Sequence, residues 1–336
     1  MSDFLQTLRV RVSSASPTTI VFPEANDERI LQAALALQQE KILKPLLVCT
    51  PDDVSAVEAL GLQYTTIEKE KANELAQLLL EIRSSKVGTN DELTPEEAER
   101  LSNDPLIYGM YLVRLGDGDG LVAGATRTTK DVLTGALWLI GKAEKIQTVS
   151  SAFYMSVPDF RGKGEEILTF ADCAVVPEPT AEQLADIAVA SADARRQIVG
   201  DEPRIAMLSY STHGSGGEST SIQKVKDALK LVQSQRSDIV IDGEIQVDAA
   251  LVESISQKKA PDSPLHGSAN VLVFPSLEAA NIAYKLVERL SPSSQAIGPI
   301  LQGMKKPISD LSRGAKTDDI VDVAIITASQ VAGNKK

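Results

Sequence analysis

Apolar residues along this chain keep two alternating rhythms. Short β-branched or apolar runs at Thr18–Phe22 and Pro45–Cys49 predict strands. Between them, Ile30, Leu31, Ala34, Leu35 and Leu37 recur at helical spacing over Glu28–Gln38. Val54–Leu60 and Ala72–Ile82 read as further helices, and Thr94–Leu101 as another, with Thr94 as cap and Pro95 at the first helical position. The charged stretch from Ser84 to Asp91 reads as a surface loop. Leu121–Ala123 is a strand that opens into Gly124-Ala125-Thr126-Arg127-Thr128-Thr129 and a helix through Ile140.

The second half repeats the alternation. Strands are predicted at Thr148–Met155, Ile167–Ala174, Arg204–Leu208, Ile239–Ile241 and Val271–Phe274. Helices are predicted from Pro179-Thr180 to Ile198, from Ser221, over Val247–Ile255 and over Leu277–Leu290. A last helix runs through Ile326, with Thr317 as its cap and Asp318 and Asp319 in its first turn, where carboxylates favour the macrodipole. Strand–helix alternation of this kind implies an α/β fold with mainly parallel sheets covered on both faces. A chain of 336 residues fits two domains. The expected division is residues 1–147 plus 303–336 in one and 148–302 in the other.

Composition narrows the class. A hydrophobic content of 43% supports packed cores, and only 4% aromatic residues makes them aliphatic. The formal net charge of −12 argues against general nucleic-acid binding, although a local arginine pocket can still hold an anionic metabolite. Two cysteines, Cys49 and Cys173, sit in apolar surroundings without metal spacing, and two histidines exclude a His-rich metal centre. The N-terminus lacks the apolar core of a signal peptide, and no apolar run reaches the roughly 18 residues of a membrane span. The expectation is a soluble cytoplasmic protein, with no nucleic-acid or membrane partner.

Three loops carry candidate chemistry. Ser211, Thr212, Gly214 and Ser215 follow a strand and precede a helix, where open α/β sheets place ligands and where backbone N–H groups can cradle phosphate. This loop has neither P-loop nor dinucleotide-binding glycine spacing, and an ordinary solvent loop fits it equally. Thr128 and Thr129 can bind an anion or simply cap a helix. Ser312 and Arg313, followed by Gly314 and then Asp319, put a hydroxyl, a cation and a carboxylate within a few residues. A surface arginine and helix-dipole carboxylates are the bland alternative.

An ordered set of segments then resembles the phosphate acetyltransferase (phosphotransacetylase) family. The segments are Phe170–Ala174, Pro179–Ala188, Ala206–Thr212, Asp242–Ala250, Ala269–Pro275 and Ile297–Met304, leading into Asp310–Gly314. The resemblance as a whole covers nearly the whole chain, in order. The resemblance implies two three-layer α/β domains flanking a cleft, similar to isocitrate and isopropylmalate dehydrogenases, with the active site in that cleft. It implies reversible acetyl transfer between acetyl phosphate and coenzyme A, with phosphate as the other product. Coenzyme A is then a substrate, and no cofactor or metal is called for. It also implies a homodimer. The family's catalytic Ser-Arg pair falls on Ser312 and Arg313, its aspartate base on Asp319, and a substrate-binding arginine on Arg83.

One segment departs from the pattern. Many family members continue Gly-Ala-x-x-Thr-Thr with Leu-Arg-Pro, whereas this chain reads Leu133-Thr134-Gly135, so a family arginine falls on Thr134. Arg127, one turn earlier, is the candidate to compensate. Two other readings compete: transfer of propionyl or butyryl groups, and a non-catalytic domain that senses acetyl-CoA or acetyl phosphate. In the catalytic reading the coenzyme A thiolate attacks the acyl carbon. A free Asp (pKa about 3.9) and a thiol (about 8.5) differ by about 4.6 units, roughly 6 kcal/mol, so Asp319 needs Arg313 to stabilise developing charge.

Overall fold

The computed structural model describes residues 2–84 and 93–334; the loop expected between Ser84 and Asp91 lies almost wholly outside them. The chain divides into two compact units. The first holds Thr7–Ala143 with Met304–Lys336, and the second holds Met1–Gln6 with Glu144–Gly303. In chain order the elements begin with α1 (Asp3–Ser14), β1 (Thr19–Phe22), α2 (Glu28–Gln39), β2 (Lys44–Cys49), α3 (Val54–Ala59) and β3 (Tyr64–Thr66). Next come α4 (Lys69–Ser84), α5 (Pro95–Ser102), α6 (Pro105–Leu115), β4 (Gly120–Ala123) and α7 (Thr129–Leu139). The second unit adds β5 (Ser150–Val157), β6 (Glu166–Ala171), α8 (Ala181–Ile198), β7 (Arg204–Leu208), α9 (Thr220–Gln235) and β8 (Val240–Ile245). It continues with α10 (Val247–Leu251), α11 (Glu253–Lys259), β9 (Val271–Val273), α12 (Leu277–Leu290) and β10 (Gln295–Gln302). The chain ends with β11 (Ile308–Asp310) and α13 (Thr317–Asn334) in the first unit.

In the first unit the strands lie in the order β3-β2-β1-β4-β11, and every neighbouring pair is parallel. Helices α2, α6, α7 and α13 pack on them. The strands are buried on both faces, which is why Ile20, Val21, Phe22, Leu47, Val48, Leu121 and Val122 form near-continuous apolar runs. Helix α13 is correspondingly apolar, with Ile320, Val323, Ala324, Ile325 and Ile326 buried. Gly135 lets α7 approach α6: a Cβ there would lie 2.7 Å from Met110 Sδ and 2.9 Å from Ile107 Cδ1.

The second unit orders its strands β10-β5-β6-β9-β7-β8. Strands β6, β9, β7 and β8 are parallel, and β5 runs antiparallel to both β10 and β6. Helix α8 starts where expected, because Thr180 and Gln183 form a reciprocal capping box. The single helix expected over Val247–Ile255 is broken at Val252, which is extended (φ −122°, ψ 115°) between α10 and α11.

Candidate active site

Two loops of the first unit meet at the C-terminal ends of their strands. One follows β4 and runs from Gly124 to Thr128; the other follows β11 and runs from Leu311 to Lys316. They interlock at Gly124, whose φ of +112° and crowded surroundings exclude a side chain: a Cβ would lie 2.5 Å from Asp310 Oδ1 and 2.7 Å from the Leu311 nitrogen.

The β4 loop turns its backbone N–H groups inward, and a carboxylate from the same chain fills them. Glu24, just after β1 and buried, accepts from the N–H groups of Gly124 (2.8 Å), Ala125 (2.9 Å), Thr126 (2.7 Å) and Arg127 (2.9 Å). The Thr126 hydroxyl adds a fifth bond at 2.6 Å. Thr128 caps α7, with Asp131 returning a bond to its N–H. The loop is therefore fixed from inside, and Thr128 is committed to its helix.

Arg29, in the first turn of α2, joins the two loops. Its Nη1 donates to the carbonyls of Arg313 (2.9 Å) and Ala315 (2.8 Å), and its Nη2 donates to that of Ala125 (3.0 Å). Asp27 grips the same guanidinium from Nε and Nη2. This hydrogen-bonded pair holds the Asp27 carboxyl below its ordinary range and Arg29 above its own. The latch leaves the Arg313 side chain exposed, with no ion pair among the described residues. Ser312 is exposed too. Its Oγ accepts from the Gly314 N–H at 3.3 Å, so its hydroxyl hydrogen remains available to a ligand.

Asp319 occupies the first turn of α13 and is exposed. One carboxylate oxygen, Oδ2, accepts from the Lys316 N–H at 2.8 Å. This bond, with Lys316 O receiving the Ile320 N–H, makes Lys316 the cap in place of the expected Thr317. The run Ser312–Asp319 thus forms one short, tied segment that offers a hydroxyl, a guanidinium and a carboxylate oxygen to solvent.

The arginines have different settings. Arg127 pairs with Asp104, the cap of α6, at 2.8 Å, so a carboxylate already balances the charge meant to compensate for Thr134. Arg83, at the end of α4, is buried and stacks over Trp138 at 4.9 Å from the ring centroid. Trp138 and Thr134 share one face of α7 at i, i+4 spacing. Arg83 therefore stands beside the helix face from which the family arginine is missing.

Ser211, Thr212, Gly214 and Ser215 belong to the second unit, at the C-terminal end of β7. Here too a buried carboxylate occupies the loop: Glu244 accepts from Ser211 Oγ (2.8 Å) and the Gly214 N–H (2.7 Å). These bonds, with Lys226 nearby, outweigh burial and keep its carboxyl below the ordinary range. Thr212 bonds Gln246, and Ser215 accepts from the Thr212 N–H. The N–H groups of Gly214, Gly216 and Gly217 are all engaged within the chain. As they stand, these donors support the loop itself.

Both cysteines are buried. Burial pushes the Cys49 thiol up to about 11 and Cys173 well above its ordinary value, so neither is a nucleophile near neutral pH.

The pattern of the Phosphate acetyl/butaryl transferase family matches residues 3–328. The chain belongs to this family. It is 40% identical to the phosphate acetyltransferase of Bacillus subtilis (strain 168), over 98% of this chain and 99% of that one. A phosphotransacetylase structure from Streptococcus pyogenes superimposes with a TM-score of 0.88 at 38% identity, covering 99% of both chains. A 4-hydroxythreonine-4-phosphate dehydrogenase structure from Salmonella typhimurium shares the fold alone. Its TM-score is 0.55 at 13% identity, over 94% of this chain and 100% of that one. The α/β fold is thus the dehydrogenase-like fold of the phosphotransacetylases. Arg29 and Glu24 were not among the residues expected at the site, although Pro23-Glu24-Ala25-Asn26-Asp27-Glu28-Arg29 is a polar cluster placed directly after a strand, and Asp310 stood out only as the start of the Asp310–Gly314 segment.

Proposed function

We propose that the protein is a phosphate acetyltransferase, moving acetyl reversibly between acetyl phosphate and coenzyme A. The observation that carries this is the Ser312–Arg313 segment, latched by Arg29 through its carbonyls so that hydroxyl and guanidinium face solvent ahead of Asp319. In a chain of this family, that is equipment for a developing oxyanion and a departing proton.

In this reading the coenzyme A thiol gives its proton to the exposed oxygen of Asp319 as sulfur bonds to the acyl carbon. Full transfer to a free carboxylate would cost roughly 6 kcal/mol, so deprotonation and attack are concerted and Arg313 stabilises the negative charge. Ser312 donates its hydroxyl hydrogen to the tetrahedral oxygen or to phosphate. Arg83 holds anionic substrate by charge-assisted hydrogen bonds. The products are acetyl-CoA and phosphate. The chemistry asks for no cofactor, and activity is expected to survive chelation of metals. The proposal includes a homodimer in the cytoplasm. No helix among the described residues is long and apolar enough to cross a membrane.

The test is relative kcat/KM for acetyl, propionyl and butyryl phosphate with coenzyme A. Preference for acetyl phosphate supports the proposal. Preference for butyryl phosphate moves the assignment within the family, and absence of turnover with all three favours the sensing role.

A further inference from the structure

Thr129, half-buried at the start of α7, already has its hydroxyl hydrogen committed. Its Oγ1 donates to Asp310 Oδ2 at 2.6 Å. A hydroxyl has one hydrogen, so Thr129 can offer an arriving ligand only lone pairs, which repel an anion. Asp310 is 1% exposed, and its other oxygen, Oδ1, is buried without a hydrogen-bond partner among the described residues. A buried ionised carboxylate with one bond is poorly compensated. The charge near it has the same sign. Gly124 gives its N–H to Glu24, while a Cβ on that glycine would lie 2.5 Å from Asp310 Oδ1, so the two carboxylates flank one residue. Glu24 has five donors and Asp310 has far fewer, which makes Asp310 the member of the pair suited to take a proton.

We infer that Asp310 is a proton-carrying positioning residue: it takes up one proton when an anionic substrate oxygen settles at Thr129, and so turns Thr129 from acceptor to donor. The Asp310 O–H then donates to Thr129 Oγ1, and the Thr129 O–H rotates outward to the anion. No covalent bond of Thr129 breaks; its hydrogen bond with Asp310 reverses direction. The proton comes from solvent on binding and returns on release. The inference rests on the proposed function, which brings acetyl phosphate or phosphate to this loop.

The surroundings fit this role. The segment after β1 presents Glu24 to Asp310, and α7 presents Thr129. Strand β4 alongside is Gly120–Ala123 and has no titratable side chain. Helix α13 meets β11 through Thr327, which bonds Ser309. Burial first, and then the charge of Glu24, push the Asp310 carboxyl up to about 6 against the lowering effects of the Thr129 bond and, more weakly, of the nearby Leu311 N–H, whose own hydrogen bond goes to the Ala123 carbonyl at 2.7 Å. A second negative charge at Thr129 raises it further, past neutrality, so that the complex holds a proton the free protein does not.

The experiment is the pH dependence of KM for acetyl phosphate, together with the competitive inhibition constant of sulfate, a dianion that does not titrate near neutrality. In the wild type both constants should rise with pH from about pH 6.5, by up to about tenfold per pH unit, the slope of one linked proton, until the pH passes the pKa of Asp310 in the complex. Asp310→Asn, whose amide donates to Thr129 permanently, should bind well with a flat profile. Thr129→Ser should keep the wild-type slope, and Thr129→Val should bind weakly without one. A flat wild-type profile, or a wild-type slope retained in Asp310→Asn or Thr129→Val, overturns the inference. Should Asp310→Asn fail to fold, the Thr129 pair still decides. Robust turnover with a flat profile rejects this inference alone, whereas no turnover at any pH rejects the proposed function as well.

Discussion

Arg29 holds Arg313 by its backbone, not its side chain: the guanidinium of Arg29 donates to the Arg313 carbonyl at 2.9 Å. One arginine fixes the loop so that the other can face solvent. Replacing Arg29 by Ala removes three bonds to carbonyls and leaves Asp27 without its partner. Charge-assisted bonds of this kind are worth about 1.5–3 kcal/mol each, and they are not additive. The expected result is a kcat lowered by about tenfold or more, with a reduced Tm. Arg29→Lys should recover only part of both, because an ammonium group cannot reproduce the planar fork. Steady-state kinetics and thermal unfolding of the two variants check this.

Glu24 is the internal anion of the β4 loop. Glu24→Ala leaves four backbone N–H groups without an acceptor, each buried donor costing about 1–3 kcal/mol where water cannot reach it. The predicted loss of stability is about 3–5 kcal/mol, as for breaking a buried charged network. Glu24→Gln should lose less, because its single carbonyl oxygen still accepts. Urea unfolding at neutral pH measures both. Equal stability of Glu24→Ala and wild type would rule out the loop-filling role.

Asp310 gives folding a pH dependence of definite sign. Its carboxyl lies at about 6 in the folded protein, above its ordinary value of 3.8. The folded state therefore binds the extra proton between these values. This stabilising contribution is complete below about pH 4 and is lost as pH rises through about 6. The gap of about two units corresponds to about 3 kcal/mol. Asp310→Asn should be more stable than wild type at pH 8, and the difference should shrink at pH 5. Urea midpoints at the two pH values test the sign.

Trp138 supports Arg83 from below. Trp138→Leu keeps an apolar side chain and removes the ring face, worth about 0.5–2 kcal/mol to a stacked cation. The expected outcome is a KM raised several-fold for the substrate Arg83 holds, with kcat little changed. A kcat loss at unchanged KM would place Arg83 outside substrate binding.

Much of this architecture was legible in the sequence, for identifiable reasons. Thr94-Pro95 and Thr180 announce α5 and α8 because a cap and the first helical position leave a local mark. The strands β1, β2 and β7 stand out as apolar runs. Helix α6 does not, because almost all of Pro105–Leu115 is apolar and buried and no periodicity survives. Strand β11 has three residues, two of them polar, and Ser309 is buried by bonding Thr327 on α13. In the site, Ser312, Arg313 and Asp319 are visible as a cluster. Glu24 is separated by 100 residues from the N–H of Gly124 that it accepts. No local pattern shows that a loop rich in donors already holds its anion.

The most direct test of Arg313 as the group that stabilises developing charge is coenzyme A-dependent release of phosphate from acetyl phosphate by wild type and Arg313→Ala. Robust wild-type turnover is expected, with a loss of at least about 10²-fold in the variant, the scale for removing one donor to developing charge. Undiminished turnover in Arg313→Ala would contradict that role.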